Sequence, residues 1–241
     1  SDYSKIEKIL LDIDNQNILN ILEDKDKEFV KGGKYSQERI LEEIKEPAFD
    51  ENYLNVFVNA FKEEKSVFEN MLNEDQITNL YYDYLINVVD NQFINSYYSF
   101  DQNINNINAA LVSRKYELKD KNIYIGDNIV TDAVSQSTLK DFGLSGEFPV
   151  IEKIINVFET GDDVAREKEA DRLRWENLDE LNTFNYFTIE VILAYIIKLR
   201  MIERWLKLDE KTGKELFGKL IEDLNSSFEL PKEFEVVKRR R

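Results

Sequence analysis

Three short stretches carry residue types that perform chemistry when their spacing and surroundings are right. Gly213-Lys-Glu-Leu-Phe-Gly218-Lys219 has the spacing of a phosphate loop, in which backbone N–H groups and a lysine hold nucleotide phosphates. Leu220 follows where that chemistry needs Ser or Thr for magnesium, and no apolar strand leads into the stretch. Asp141-Phe142-Gly143 has the letters of a kinase metal-binding triplet, but the chain has neither a glycine-rich loop nor a His-Arg-Asp loop to serve it. Gly161-Asp162-Asp163 has the acids of a polymerase metal turn and reads more simply as a helix C-cap followed by an N-cap.

Composition narrows the chemistry further. The 241 residues include no His and no Cys, which removes ordinary zinc sites, His-based acid–base or triad catalysis, disulfides and thiolates. Cysteine-free composition is compatible with a reducing compartment. Carboxylate, Lys and Tyr chemistry survives. With 48 acidic residues, carboxylate pairs are unavoidable, and Asp24 to Glu28 shows no EF-hand ligand pattern. No catalytic residue, cofactor site or metal ligand is assigned on this basis. A formal charge of −16 opposes binding to nucleic acid, which relies on Lys and Arg neutralising phosphates. The basic cluster Lys238 to Arg241 reads as a solvated terminus. The longest apolar run, Val191 to Ile197, falls far short of the roughly 20 residues that cross a bilayer. The sequence opens on Ser1-Asp2-Tyr3-Ser4, with no apolar export signal.

Hydrophobic residues make up 42% of the chain, enough to build a core despite its charge. Only 8 Gly and 3 Pro are present, none of them between Pro47 and Gly126, which predicts an all-α chain of long antiparallel helices. Ile6, Leu10, Ile13, Asn17 and Ile21 share a line on a first helix ending near Leu22. Ser36 is placed to cap a helix that stops near Glu46, before Pro47. Asp50 is placed to cap a helix running to Leu72. Phe93, Tyr97, Phe100, Ile104, Ile107 and Leu111 alternate spacings of four and three, a packing seam on one long helix or a kinked pair within Asn73 to Lys115. A loop with a brief extended piece at Ile123-Tyr124-Ile125 follows, and Asp127 is placed to cap a helix ending before Gly143. Further helices are expected over Val150 to Phe158, Asp163 to Leu181, Phe184 to Leu208 and Glu210 to Leu224. The helix holding Val191 to Ile197 is apolar nearly all round and should be central and buried. The whole span 1–241 reads as a single domain of two to three similar bundles, with a candidate hinge at 141–149 and a mobile tail at 226–241.

Several polar residues interrupt apolar lines: Asp14, Asn17, Asn108 and Glu203. A buried polar group without a partner is costly, so each is either bonded to neighbouring elements, the favoured reading, or exposed in a groove that receives a partner. Asp14-x-x-Asn17-Ile18-x-x-x-Leu22 can be laid over Asn103-x-x-Asn106-Ile107-x-x-x-Leu111, a faint internal repeat.

These segments, with Ala110-Leu111-x-x-Arg114-Lys115-Tyr116 and Ile189-Glu-Val-Ile-Leu-Ala-Tyr195, resemble the V-type ATPase/ATP synthase central-stalk subunit called C in prokaryotes and d in eukaryotes. A bacterial group associated with that enzyme is similar at Asp127-Asn128, Asp141-Phe-Gly-Leu-Ser145 and Asn185-Tyr-Phe-Thr-Ile-Glu190. The resemblance runs from about Asp14 to Leu224 and places Ile202 and Trp205 where a third repeat would carry an acid and an Asn. It implies repeated helical bundles in a funnel-like array, with the rotary ATPase central shaft and membrane rotor ring as partners. It also implies a cytoplasmic place, peripheral to the inner membrane through that complex, and a role in transmitting torque for ion transport without catalysis. An unrelated helical adaptor or scaffold is the alternative. Asp14, Asn17, Asn103, Asn106, Asn108 and Glu203 are the candidate structural or partner-contacting positions.

Overall fold

Helix ends, more than helix interiors, set the course of this glycine-poor chain. The fold is taken from a computed structural model that describes residues 2–118 and 123–227. Among the described residues it is all-helical, with eleven α-helices, one π-helical turn and no strand. The basic cluster Lys238 to Arg241 and all but the start of the expected tail lie outside the described residues.

Two compact units follow one another along the chain, Ser1–Asn185 and Tyr186–Arg241. The division falls at Asn185, whereas the sequence suggests one domain hinged at 141–149. That segment sits inside the first unit, where Phe142, Leu144 and Phe148 join a buried cluster with Ile107, Leu111, Val130, Ile154 and Leu173.

The first unit contains α1 (Asp2–Ile9), α2 (Leu11–Leu22), α3 (Gln37–Lys45), α4 (Asn52–Lys62), α5 (Asn73–Asp83), the π-turn Tyr84–Val88 and α6 (Gln92–Lys115). It continues through α7 (Ile129–Gln136), α8 (Ile151–Thr160) and α9 (Asp163–Leu181). Helix α5 packs against α2 and α4, and the 24-residue α6 packs against α7, α8 and α9. The expected seam is buried along α6 at Phe93, Tyr97, Ile104, Ile107 and Leu111, with Phe100 partly buried. Near α5, Tyr53, Tyr81, Tyr82, Tyr97 and Tyr98 form a chain of ring contacts 5.1–6.3 Å between centroids.

Helices are shorter than glycine scarcity suggests, because acidic residues take the left-handed backbone position usually filled by glycine. Asp24, Glu64 and Glu117 have φ of 51°, 54° and 52°. After each, the next N–H reaches back to a carbonyl five residues earlier: Lys25 to Asn20 at 2.9 Å, Lys65 to Ala60 at 2.9 Å and Leu118 to Ser113 at 2.9 Å. This is the Schellman closure. It ends α4 at Lys62, ten residues before the expected Leu72, and Glu51 rather than Asp50 occupies its N-cap position. The expected first helix breaks at Leu10. Between α5 and α6 the ladder widens to a π-turn, with Val89 N–H bonding Tyr84 O at 3.0 Å, so the kinked-pair expectation holds.

Ser36 caps α3 by accepting the Arg39 N–H at 3.2 Å, and Asp162 caps α9 by accepting that of Ala165 at 2.8 Å. Asn128 rather than Asp127 caps α7, accepting from Val130 and Thr131 at 2.8 and 3.0 Å. The residues of the three chemical motifs are thereby placed. Asp141 closes a turn on Gly143 N–H and Ser145 Oγ, Asp162 is a cap, and Gly213 to Lys219 lies within a helix.

The second unit holds α10 (Ile189–Leu208) and α11 (Glu210–Ser227), packed on each other. Helix α10 begins five residues after Phe184, with Phe187 at φ 53° before it. Its Leu193, Ala194, Ile197 and Trp205 are buried, while Val191 and Ile192 are 38% and 50% exposed, so it is not enclosed all round as its composition suggests.

A buried ion network joins α9 to α6 and α5. Arg174 donates to Asp101 at 2.5 Å, Asp171 at 3.0 Å and Asn105 at 2.6 Å, and the Tyr82 hydroxyl donates to Asp101 at 2.5 Å. Burial opposes the guanidinium charge, but Asp101, Tyr97 and Asp171 together outweigh that and the group is held well above its ordinary range. Arg174→Leu is expected to cost about 3–5 kcal/mol by removing the cation from a buried ion pair with Asp101. Arg174→Lys, which keeps the charge without the fork, should fall between, as read by urea unfolding followed by circular dichroism.

Candidate functional site

Two asparagines, on α2 and α6, hold the loops that follow those helices. Asn17, 2% exposed, donates from Nδ2 to Val30 O at 2.8 Å and accepts the Val30 N–H at 2.9 Å. Asn106, 1% exposed, does the same with Ile125, at 2.7 and 2.9 Å. A carboxamide presents donor and acceptor side by side, so it satisfies both polar groups of one peptide residue lying against a helix.

One turn earlier stand Asp14 and Asn103. The Asp14 carboxylate accepts the N–H groups of Lys34 at 2.7 Å and Tyr35 at 3.1 Å, immediately before the Ser36 cap. Asn103 accepts from Nδ2 of the other cap, Asn128, at 3.1 Å. Each helix therefore pins its return loop with an asparagine and steadies the next helix start from the position three residues before. The faint repeat of the sequence has a structural counterpart, and its polar members are bonded internally. A glycine marks each loop. A Cβ on Gly33 would lie 2.3 Å from Asp14 Oδ1, and one on Gly126, whose φ is +81°, 2.5 Å from Gln102 Nε2.

In the second unit only Asp209 separates α10 from α11, so no long return loop lies between them, and Ile202 and Trp205 are buried. Of the remaining candidates, Asn108 is half-buried on α6 and Glu203 is exposed on α10. The structure brings neither to the pins.

Around the first loop lies a cluster that sequence patterns do not reveal. Glu51, 6% exposed, accepts Lys34 Nζ at 2.8 Å and the Tyr35 hydroxyl at 2.5 Å, and Lys34 also bonds Asp50 at 2.9 Å. Burial works against the Lys34 charge, but bonds to Glu51 and Asp50 hold its ammonium above the ordinary range. Burial, then Glu51, raises the Tyr35 hydroxyl. Lysine, tyrosine and carboxylate are the components of acid–base chemistry, yet here they are committed to one another and to the backbone. What the arrangement does is fasten the loop to the start of α4.

Beside the second loop the surface opens into a cleft of about 680 Å³. Asn79 and Asp83 of α5, Gln102 of α6 and Gly126-Asp127-Asn128 of the loop line it, with the π-turn's Ile86 and Asn87 at its side. No group of three or more acids that could hold a metal ion occurs among the described residues. No described helix is long and apolar enough to cross a membrane.

Asn17→Ala and Asn106→Ala are each expected to cost about 1–3 kcal/mol, with faster amide hydrogen exchange at Val30 and Ile125 respectively. The Asp14 carboxyl is raised from 3.8 to about 6, burial outweighing its two backbone donors while Asp12 and Glu51 add to the rise. The folded chain thus holds this proton more tightly than the unfolded chain, and the associated stability, full below about pH 4, is lost as pH rises through 6. The destabilisation by Asp14→Ala should accordingly be larger at pH 4 than at pH 7, by up to about 3 kcal/mol in urea unfolding.

No curated protein and no solved structure matches the chain. A family described as protein of unknown function (DUF2764) matches residues 1–228, and the chain belongs to it.

Proposed function

We propose that this chain is a non-catalytic coupling subunit of a V-type ATPase/ATP synthase, linking the central rotor shaft to the membrane rotor ring and transmitting torque for proton or sodium transport. The observation that carries the reading is the duplicated pin, Asn17 on Val30 and Asn106 on Ile125. It falls on the two segments through which the sequence resembles the central-stalk family, and a protein built from repeated helical units accounts for it where an unrelated adaptor or scaffold needs no such repetition. The dense bonding of Lys34, Glu51 and Arg174 to neighbouring elements suits a part that must pass force without yielding. Its place at the membrane, on this reading, comes from the complex.

Co-expression with the shaft and ring subunits of a rotary ATPase from the same cell is the test. The chain is expected to co-purify with them in fixed stoichiometry, and its omission should uncouple ATP hydrolysis from ion movement. Assembly of shaft and ring with the chain left free would overturn the reading and favour the adaptor.

A further inference from the structure

The cleft between α5 and the second loop carries hydrogen-bonding groups whose orientation is fixed from within. Asn128 Oδ1 must accept, because backbone N–H groups of Val130 and Thr131 point at it. Its Nδ2 therefore donates, and Gln102 Oε1 accepts from it at 3.0 Å. Gln102 is 4% exposed, and the assignment leaves its amide Nε2 to line the cleft with no acceptor among the described residues. The same logic fixes Asn79, whose Oδ1 takes the Gly126 N–H at 2.9 Å and whose Nδ2 remains a donor. Two carboxylates complete the lining: Asp83, bonded on one oxygen by Asn87 at 2.8 Å, and Asp127, which has no partner among the described residues. Among the described residues no Lys or Arg lines the cleft.

We propose that this cleft receives a basic peptide segment of a partner protein. Backbone carbonyls of the segment accept from Gln102 Nε2 and Asn79 Nδ2, and its arginine or lysine side chains meet Asp83 and Asp127. The ligand class follows from the combination. Two oriented amide donors call for carbonyl acceptors, two carboxylates call for cations, and a basic peptide offers both at backbone spacing. The first loop shows the same complementarity satisfied internally, where Lys34 lies against Asp50 and Glu51. Among the described residues of the second loop no basic side chain takes that role. The inference holds whichever assembly the chain joins.

The test is titration of the isotope-labelled full chain, followed by backbone amide NMR, with the probe acetyl-Gly-Arg-Gly-Arg-Gly-amide. The controls are the peptide with Gln in place of Arg, and glucose. Saturable shifts at Gly126, Asp127 and Asn128 are expected with the arginine peptide, with affinity falling about tenfold or more for the glutamine peptide and for the Asp83→Asn/Asp127→Asn double variant. Those substitutions are at exposed positions and leave the Gln102–Asn128 chain intact. Shifts that scatter over the acidic surface, persist in the double variant or fail to saturate would overturn the proposal, as would equal saturable shifts with glucose, which would make the cleft a neutral polyol site.

Discussion

A loop that crosses back over a helix must place peptide groups against a largely apolar surface, and the chain solves this with one side-chain amide per loop. The solution depends on the shape of asparagine. Its carboxamide matches the N–H and C=O of a single residue, so one side chain replaces what would otherwise be a strand partner. Much else follows from that bond. With Val30 fixed, Lys34 and Tyr35 arrive at Asp14 and Glu51, and Ser36 lands where it can start α3. With Ile125 fixed, Asn128 starts α7 and the adjoining cleft takes its form.

The sequence disclosed these positions unevenly. Asp14 and Asn17 stood out because a polar residue on an apolar helical line has to be bonded if buried, and that requirement is local. Asn103 and Asn106 emerged only from the repeat. What they bond to was hidden, since Val30 and Ile125 are ordinary apolar residues selected by loop geometry. Arg174 was equally obscure: it lies 73 residues from Asp101, and an arginine on a charged helix gives no hint of burial. Gln102 and Asn128 take their meaning from each other, across 26 residues. Caps fared better. Ser36 and Asp162 were readable because an N-cap bond spans three residues.

Helix termination is where composition misled. Counting Gly and Pro predicts long helices, but Asp24, Glu64 and Glu117 adopt positive φ at a cost in backbone energy that the Schellman bonds and the surrounding packing offset. The apolar run of α10 misled in another way, since composition counts a residue's type and not which side of the helix is covered. Val191 and Ile192 remain partly in solvent while Leu193 and Ala194 are buried.

Helix α6 serves two neighbourhoods at once. Its first half supplies Tyr97 and Tyr98 to the tyrosine chain by α5, and its second half supplies Ile104, Ile107 and Leu111 to the cluster with α7, α8 and α9. A continuous helix of 24 residues is about 36 Å long at 1.5 Å rise per residue, and it gains from propagation only while it stays unbroken. Neither neighbourhood can come apart without costing the other its wall, so the first unit should melt as one cooperative block although its packing has two centres.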